Sequence, residues 1–570
     1  MGPGPDLKTP VQQENRSILL AALPCLGLTL VLGLLSDGVY HDDDLTHFLM
    51  ARWARWYPSY LLHIWGRPGL TLPLACVSWT DDADLAWRLA RVLSALTTTA
   101  SAIIAAKLAA RMKLNRPWLV VPLVYLQPLA TVLACTTLTE NFAGLYLVGA
   151  LLLLEQRRLL WGAVVFSLML VSRHEAAVFL PLWLAALCFA PASRWRRLCA
   201  AVLSLWAPVV HNVLFFAVLQ GWPVELFLSP QGSSEYPAEG LLSYAPAILY
   251  ALGPTIAAVA LVGAAALAQS RRIMVAVCCA AFVLTHVMIK ATGIFGSGGY
   301  GRFLVTIAPL VAILAVAGAN RFVARRRRSL SNRAGWLTIA AVWTAGLLSL
   351  EREQAVGRLH LPERLRWLCW IVAGLMVVLL IVASMDRLSR NSTAVRFTAA
   401  SLVLTCLGQW SGVVRPLRLG EDQRVVEQAV QFMMTQGLAE APFFATDPWF
   451  AHYLGLAEDP RAHKDAALLA SMPVGTVFVW DSLYSESDYH RLKLADFASD
   501  EHYEALGVFR SRSGRGKELH LFRKTSETPL PASLPSYYPP IPPGRRPPLR
   551  GIYYVRTTPP ERDRQVRSLR

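Results

Sequence analysis

The chain has 570 residues, of which 54% are hydrophobic and only 16% charged, with a mean hydropathy of +0.39. A soluble domain carries roughly a quarter charged residues, so a water-soluble fold is excluded. The net charge of +17 does not point to nucleic acid, because the arginines cluster in short loops between apolar stretches, the pattern of cations held on the cytoplasmic side of a membrane. All nine cysteines, Cys406 being the last, lie in or beside apolar segments without the spacing of a zinc or haem site.

The first apolar run, Ser17 to Leu35, follows Lys8 and Arg16 and has no small-residue cleavage site. It reads as a retained helix, with residues 1–16 cytoplasmic. A bilayer core of about 30 Å takes about 20 apolar helical residues to cross. Further stretches of this kind cover 90–110, 118–137, 141–154, 159–172, 176–190, 198–219, 245–268, 273–290, 303–320, 336–350, 368–385 and 397–413. The expected architecture is an α-helical polytopic membrane protein of about thirteen transmembrane helices, spanning 17–414. Alternate loops are basic, at Arg111/Lys113/Arg116, Arg157/Arg158, Arg194/Arg196/Arg197, Arg271/Arg272 and Arg325 to Arg328, which agrees with one orientation. The loop 351–366, with Arg352, Arg358, Arg364 and Arg366, runs against it. The short pair 159–172 and 176–190 reads as a tilted or re-entrant hairpin.

An odd number of crossings puts residues 415–570 on the extracytoplasmic side together with the first large loop, 36–89. Glu421 to Gly437 has an amphipathic helical pattern, and Phe443 to Thr446, Thr476 to Trp480, Val508 to Arg510 and Leu519 to Phe522 read as strands. Residues 415–525 are therefore expected to form a small α/β domain. The Pro- and Arg-rich segment 526–570 is expected to be a disordered tail.

The sharpest local feature is Tyr40-His41-Asp42-Asp43-Asp44, directly after the first helix. Three adjacent carboxylates repel one another, so at least one should bind its proton more tightly unless hydrogen bonds or a cation compensate. The bland alternative is a solvated acidic loop. The aromatic and arginine-rich run Phe48 to Leu62 suits a helix lying in the headgroup layer, and Trp65-Gly66-Arg67-Pro68-Gly69 forms a turn after it.

These segments resemble the GT-C superfamily of polyprenyl-phosphate-sugar-dependent transferases, in its protein O-mannosyltransferase and lipid A aminoarabinose transferase branch. There an acidic pair opens the first external loop, an interfacial helix follows, and a Lys/Arg-Pro-Pro-like turn precedes the second helix. Asp43-Asp44 lies over the pair, with Asp in place of the usual Glu, and Gly66-Arg67-Pro68-Gly69 over the turn, with Gly in place of the second Pro. Thr139-Glu140-Asn141 is similar to an acidic position in the second external loop. Ser172-Arg173-His174-Glu175 is similar to an Arg-x-Glu segment, and Gly298-Gly299-Tyr300-Gly301-Arg302-Phe303-Leu304 to the start of a late helix.

The resemblance implies inverting transfer of a sugar from a polyprenyl-phosphate donor to a glycan, lipid or protein acceptor, without a nucleotide sugar. Any of Asp43, Asp44 and Asp42 can fill the place of the base. Arg302, after a run of glycines, suits a phosphate, with Arg173, Glu175, Glu140, Arg67 and Lys290 as further candidates for the substrate and lipid-phosphate site. Arg173 and Glu175 can equally pair with each other, and Lys290 can reach the headgroups. The Asp43/Asp44 pair also suits a divalent cation. Asp447 and Asp481 each end a predicted strand, where a turn cap is the commoner role. The rival readings are an oligosaccharyltransferase or polysaccharide polymerase using a diphosphate-linked glycan, a lipid or glycan transporter, and a scaffold of envelope assembly.

Overall fold

The structure, a computed structural model, describes residues 10–219, 238–268, 272–293, 299–324, 413–458 and most of 464–527, with a few positions besides. Two compact units divide the chain. One comprises Met1–Leu34, Arg91–Val209 and Pro230–Pro416, the other Leu35–Ala90, Val210–Ser229 and Leu417–Arg570.

Among the described residues five helices are long and apolar enough to cross a membrane: Gln12–Leu34, Ala83–Arg111, Arg194–Leu219, Met274–Thr292 and Gly301–Arg321. Two of the predicted spans are interrupted, both at proline. The stretch 118–137 divides into helices Val120–Tyr125 and Pro128–Leu133 with Gln127 extended at ψ 116°, because Pro128 lacks an N–H and disfavours a helical residue before it. The stretch 245–268 bends by 102° between Leu241–Leu252 and Pro254–Leu267. Gly253 takes φ 78° there, a left-handed value that glycine accepts without a steric cost, and Pro254 starts the second helix. The pair 159–172 and 176–190 consists of the short helices Leu159–Leu170 and Phe179–Phe189 joined through a 3-10 turn at His174–Val178. The predicted spans 336–350 and 368–385, and nearly all of 397–413, lie outside the described residues.

Lipid gives apolar side chains no reason to leave it, so helices in a bilayer associate by close packing. Pro254–Leu267 and Ala308–Ala324 show this at two glycines. A Cβ on Gly263 would lie 1.8 Å from the Leu314 carbonyl oxygen, and one on Gly318 would lie 2.2 Å from that of Val259.

In the second unit the acidic segment begins a helix, Asp42–Trp53. It starts six residues before the expected interfacial helix at Phe48, because His41 is extended (φ −157°) and its ring nitrogen accepts from the Asp43 N–H as a cap. A 3-10 turn Pro58–Leu62 and a helix Pro68–Ser78 follow. Arg52 donates to the carbonyls of Thr80 and Asp81 at 2.9 and 2.8 Å, closing this segment on itself.

The sheet of the same unit uses β1 (Phe443–Ala445), β3 (Val477–Asp481), β4 (Tyr503–Arg510) and β5 (Glu518–Lys524) in the order β1-β3-β5-β4. β1 and β3 run parallel and the other pairs antiparallel. A second pair joins β2 (Leu456–Glu458) to β6 (Tyr554–Arg556) within the Pro/Arg-rich tail. Phe444, Phe478, Trp480, Phe497 and Phe522 form the core. The helix Glu421–Thr435 buries Val425, Val426, Ala429, Val430 and Met433, the stripe expected of an amphipathic helix. The segment after the first helix joins this domain through backbone: the Asp37 and Gly38 N–H groups both donate to the Leu417 carbonyl at 3.0 Å.

Replacing Gly263 or Gly318 by Ala is expected to destabilise the helical unit by about 1–3 kcal/mol through overpacking. Gly27→Ala, with nothing within 4 Å of the added atom, should leave the melting temperature in detergent unchanged or slightly raised. Equal behaviour of the three variants would contradict the backbone contact.

Candidate functional site

All three aspartates of the acidic segment occupy the first turn of helix Asp42–Trp53, where the positive end of the helix dipole favours negative charge. They are not equivalent. Asp44 is completely buried. Asp42 accepts hydrogen bonds on both oxygens: Oδ1 from Trp449 Nε1 at 3.0 Å and Gln423 Nε2 at 3.3 Å, Oδ2 from the Tyr484 hydroxyl. Asp43 keeps 19% of its side-chain surface exposed, with Oδ2 3.4 Å from His41 Nδ1. Hydrogen bonds compensate the charge of Asp42, and burial means that the solvated-loop alternative does not hold for Asp44.

The donors to Asp42 are delivered by turns that other carboxylates cap. Asp447 accepts from the Trp449 N–H at 2.8 Å and so starts the helix Pro448–Tyr453 that carries Trp449. Asp481 Oδ1 accepts from the Leu483 and Tyr484 N–H groups at 3.0 and 2.6 Å, and its Oδ2 accepts from Thr446 Oγ1 at 2.5 Å. Both aspartates thus cap turns, the commoner role for residues ending a strand.

Asp447 also pairs with Lys517, and both side chains are buried. Burial pushes the Asp447 carboxyl up to about 6 despite the Lys517 charge, with Asp481 and Asp42 adding to the rise. Burial acts against the Lys517 ammonium, but Asp447 and Asp481 outweigh it and hold its proton more tightly than usual. The Lys517 ammonium lies 5.1 Å from the centre of the Tyr484 ring, and its backbone N–H donates to Asp422 at 3.0 Å. One lysine thereby touches the carriers of the Trp449 and Tyr484 donors and the residue next to Gln423.

The helical unit gathers four of the candidates chosen from sequence. Glu140, at the start of helix Glu140–Glu155, is 1% exposed and sits 2.7 Å from Arg173 Nη1 and 3.9 Å from Arg302 Nε. Arg173, also 1% exposed, further donates to Thr139 Oγ1 and Glu175 Oε1, both at 3.0 Å. The pairing of Arg173 with Glu175, one of the two sequence alternatives, is what the chain adopts. Arg302 is held by rings, its guanidinium 5.2 Å from the centre of Tyr300 and 5.3 Å from that of Phe303. Phe303 also carries the Arg173 guanidinium at 4.4 Å.

Two candidates have other surroundings. Lys290 pairs with Glu239 at 3.1 Å. Arg67 opens the helix Pro68–Ser78 at φ 62°, a strained value for a residue with a Cβ, with its guanidinium 6.0 Å from the Trp65 ring centre. Among the described residues no group of three or more His, Cys, Asp or Glu side chains is arranged to hold a metal ion.

Sequence reading did not find Trp449, Tyr484, Gln423 or Lys517. Their only trace was the pair of strand-ending aspartates that cap the turns.

No family model and no curated protein matches the chain. Solved structures do, among them ArnT from Cupriavidus metallidurans bound to undecaprenyl phosphate, at 14% identity, and the same protein in the apo state, at 13%. Each match has a TM-score of 0.55 and covers 88% of this chain and 97% of the other. The likeness shows that the chain shares the fold of these structures.

Lys517→Met leaves the Asp447 carboxylate buried without its cation, a loss of about 3–5 kcal/mol, and the double variant with Asp447→Asn is expected to recover most of it. With Lys517 gone the Asp447 carboxyl rises above its wild-type value of about 6, so the variant's native state takes up the proton at a higher pH than the wild type does. The defect of Lys517→Met should therefore grow as pH rises above 6 and be smallest at pH 6 and below. Melting curves across this range check it; a defect independent of pH and of Asp447 would contradict the pairing.

Proposed function

We propose that this protein is a membrane glycosyltransferase that moves a sugar from a polyprenyl-phosphate carrier to a glycan, lipid or protein acceptor on the extracytoplasmic face. The observation that carries the reading is the buried ionic cluster of an apolar helical unit, in which Arg173 binds Glu140 at 2.7 Å and Glu175 at 3.0 Å and Arg302, 5% exposed, lies 3.9 Å from Glu140. Guanidinium groups gathered at membrane depth suit the phosphate of a lipid-linked donor. The GT-C fold supports the reaction class, and the undecaprenyl phosphate bound by ArnT supports the class of donor.

In this reaction the acceptor hydroxyl oxygen attacks the anomeric carbon and gives its proton to Asp43. The bond from that carbon to the carrier phosphate oxygen breaks with both electrons going to the phosphate, whose added charge Arg302 stabilises. The anomeric configuration inverts. Asp43 is chosen over its neighbours because the oxygens of Asp42 are occupied by three donors and Asp44 is sealed. Asp42 instead fixes the start of the helix on which Asp43 stands. Glu140, Arg173 and Glu175 orient Arg302 and the chain around it.

The test is sugar transfer by the purified full-length protein in detergent, where no compartments exist. Asp43→Asn is expected to lower kcat about 10²–10⁴-fold, whereas Arg302→Ala should mainly raise KM for the lipid donor. Transfer that survives Asp43→Asn overturns the role of the base. Turnover only with a diphosphate-linked oligosaccharide would favour the polymerase or oligosaccharyltransferase reading, and the absence of any transfer alongside lipid movement in vesicles would favour a transporter.

A further inference from the structure

His286, in the span Met274–Thr292, is fully buried, and among the described residues neither of its ring nitrogens has a hydrogen-bond partner. Its neighbours are aromatic: Phe282 edge-on at 4.6 Å between ring centres, Phe303 tilted at 5.2 Å and Tyr244 stacked at 6.0 Å. A buried polar side chain without partners is costly, and this one stands within an apolar span, where the cost is greatest. It is not isolated from the charged cluster, because the Phe303 ring that flanks it is the one over which Arg173 and Arg302 lie. Other buried polar atoms of this region also lack partners: Glu140 Oε2, Asn141 Oδ1 and Thr306 Oγ1. Thr306 belongs to the same turn as Arg302, and its carbonyl oxygen would lie 3.0 Å from a Cβ on Gly144, in the helix that Glu140 begins. Several unsatisfied donors and acceptors around one ion cluster, on three elements of one unit, are the mark of a site that a polar ligand completes.

We propose that His286 reads the sugar of the lipid donor, an inference that rests on the function proposed above. The chemistry selects this part of the donor. With the phosphate at Arg302, the group across Phe303 is either the sugar or the polyprenyl chain, and a hydrocarbon chain can satisfy neither ring nitrogen. A neutral imidazole offers one donor and one acceptor, and a sugar hydroxyl both accepts and donates. Aromatic walls with a few converging polar groups are the usual lining of a small-molecule site. The ring is enclosed by side chains, whose rotation can admit a ligand without rebuilding the helices. His286 is thus a specificity-determining residue, and it distinguishes the sugar-bearing carrier from the spent carrier that leaves after transfer.

The experiment measures binding of undecaprenyl phosphate and of its glucosyl, mannosyl and galactosyl derivatives to the full-length protein in detergent. Wild type is expected to bind at least one sugar-bearing lipid more tightly than the bare lipid phosphate. His286→Phe should lose about five- to tenfold of that affinity, the scale of a neutral hydrogen bond, with binding of the bare lipid unchanged. His286→Gln, which keeps a donor and an acceptor, should recover part of the loss and serves if the Phe variant does not fold. Unchanged affinity for the sugar-bearing lipids, or equal loss for bare and sugar-bearing lipids, overturns the assignment. So does a wild type that binds all four lipids alike. Wild type that binds none of them removes the donor reading itself; where wild type binds, Arg302→Ala is expected to weaken bare and sugar-bearing lipids together, and that loss with His286→Phe unchanged overturns the His286 assignment alone.

Discussion

A guanidinium cannot stay in an apolar helical unit without carboxylates beside it. The cost of stripping it of water is several kcal/mol even after relaxation, and only close, well-directed partners return it. Arg173 meets this condition with Glu140 at 2.7 Å and Glu175 at 3.0 Å, and in doing so ties together the start of the helix Glu140–Glu155 and the 3-10 turn His174–Val178. Its stacking on Phe303 draws in the turn Gly301–Ile307. Three elements from distant parts of the chain are held by one ion, and the groups proposed to bind the donor stand on them or beside them.

The same constraint, acting on anions, organises the other unit. Three aspartates in one helical turn would repel each other if left to solvent and the helix dipole alone. The chain surrounds the first with Trp449, Gln423 and Tyr484, and each donor is itself fixed by a further polar contact: Asp447 on the Trp449 N–H, the Gly420 N–H on Gln423 Oε1, Asp481 on the Tyr484 N–H. The sheet domain is thus part of the machinery that sets the acidic turn. Its buried lysine lies behind the tryptophan and the tyrosine, so the charge that balances Asp447 also supports the geometry of Asp42.

How much of this the sequence disclosed follows from the range over which each interaction acts. Apolar length and amphipathic period are local, and the strands at Phe443, Val477 and Leu519 and the helix at Glu421 are where these patterns put them. Ionisable residues in apolar stretches are rare because they are costly, which is why Glu140, Arg173, Glu175 and Arg302 could be chosen singly. Their convergence could not be read, since residues 140 and 302 are joined only by the fold. The partners of Asp42 carry no local signature at all: a tryptophan, a tyrosine and a glutamine some four hundred residues onward differ in nothing from ordinary core or surface residues. The Gly253-Pro254 dipeptide was visible in the chain, but averaging hydropathy over twenty residues conceals a right-angled bend between two apolar halves.

The unequal sharing of Glu140 gives the charged cluster its functional direction. Arg173 takes the short contact with Glu140 and the contact with Glu175, whereas Arg302 lies 3.9 Å from Glu140 and rests on the faces of Tyr300 and Phe303. Contact with a ring face stabilises a cation without occupying its hydrogen-bonding fork. A phosphate approaching Arg173 would have to break two buried ion pairs. In the proposed reaction this divides the labour between the arginines: Arg173 holds the protein together, and Arg302, buried against ring faces, binds the carrier and gains most when bond breaking adds negative charge to it.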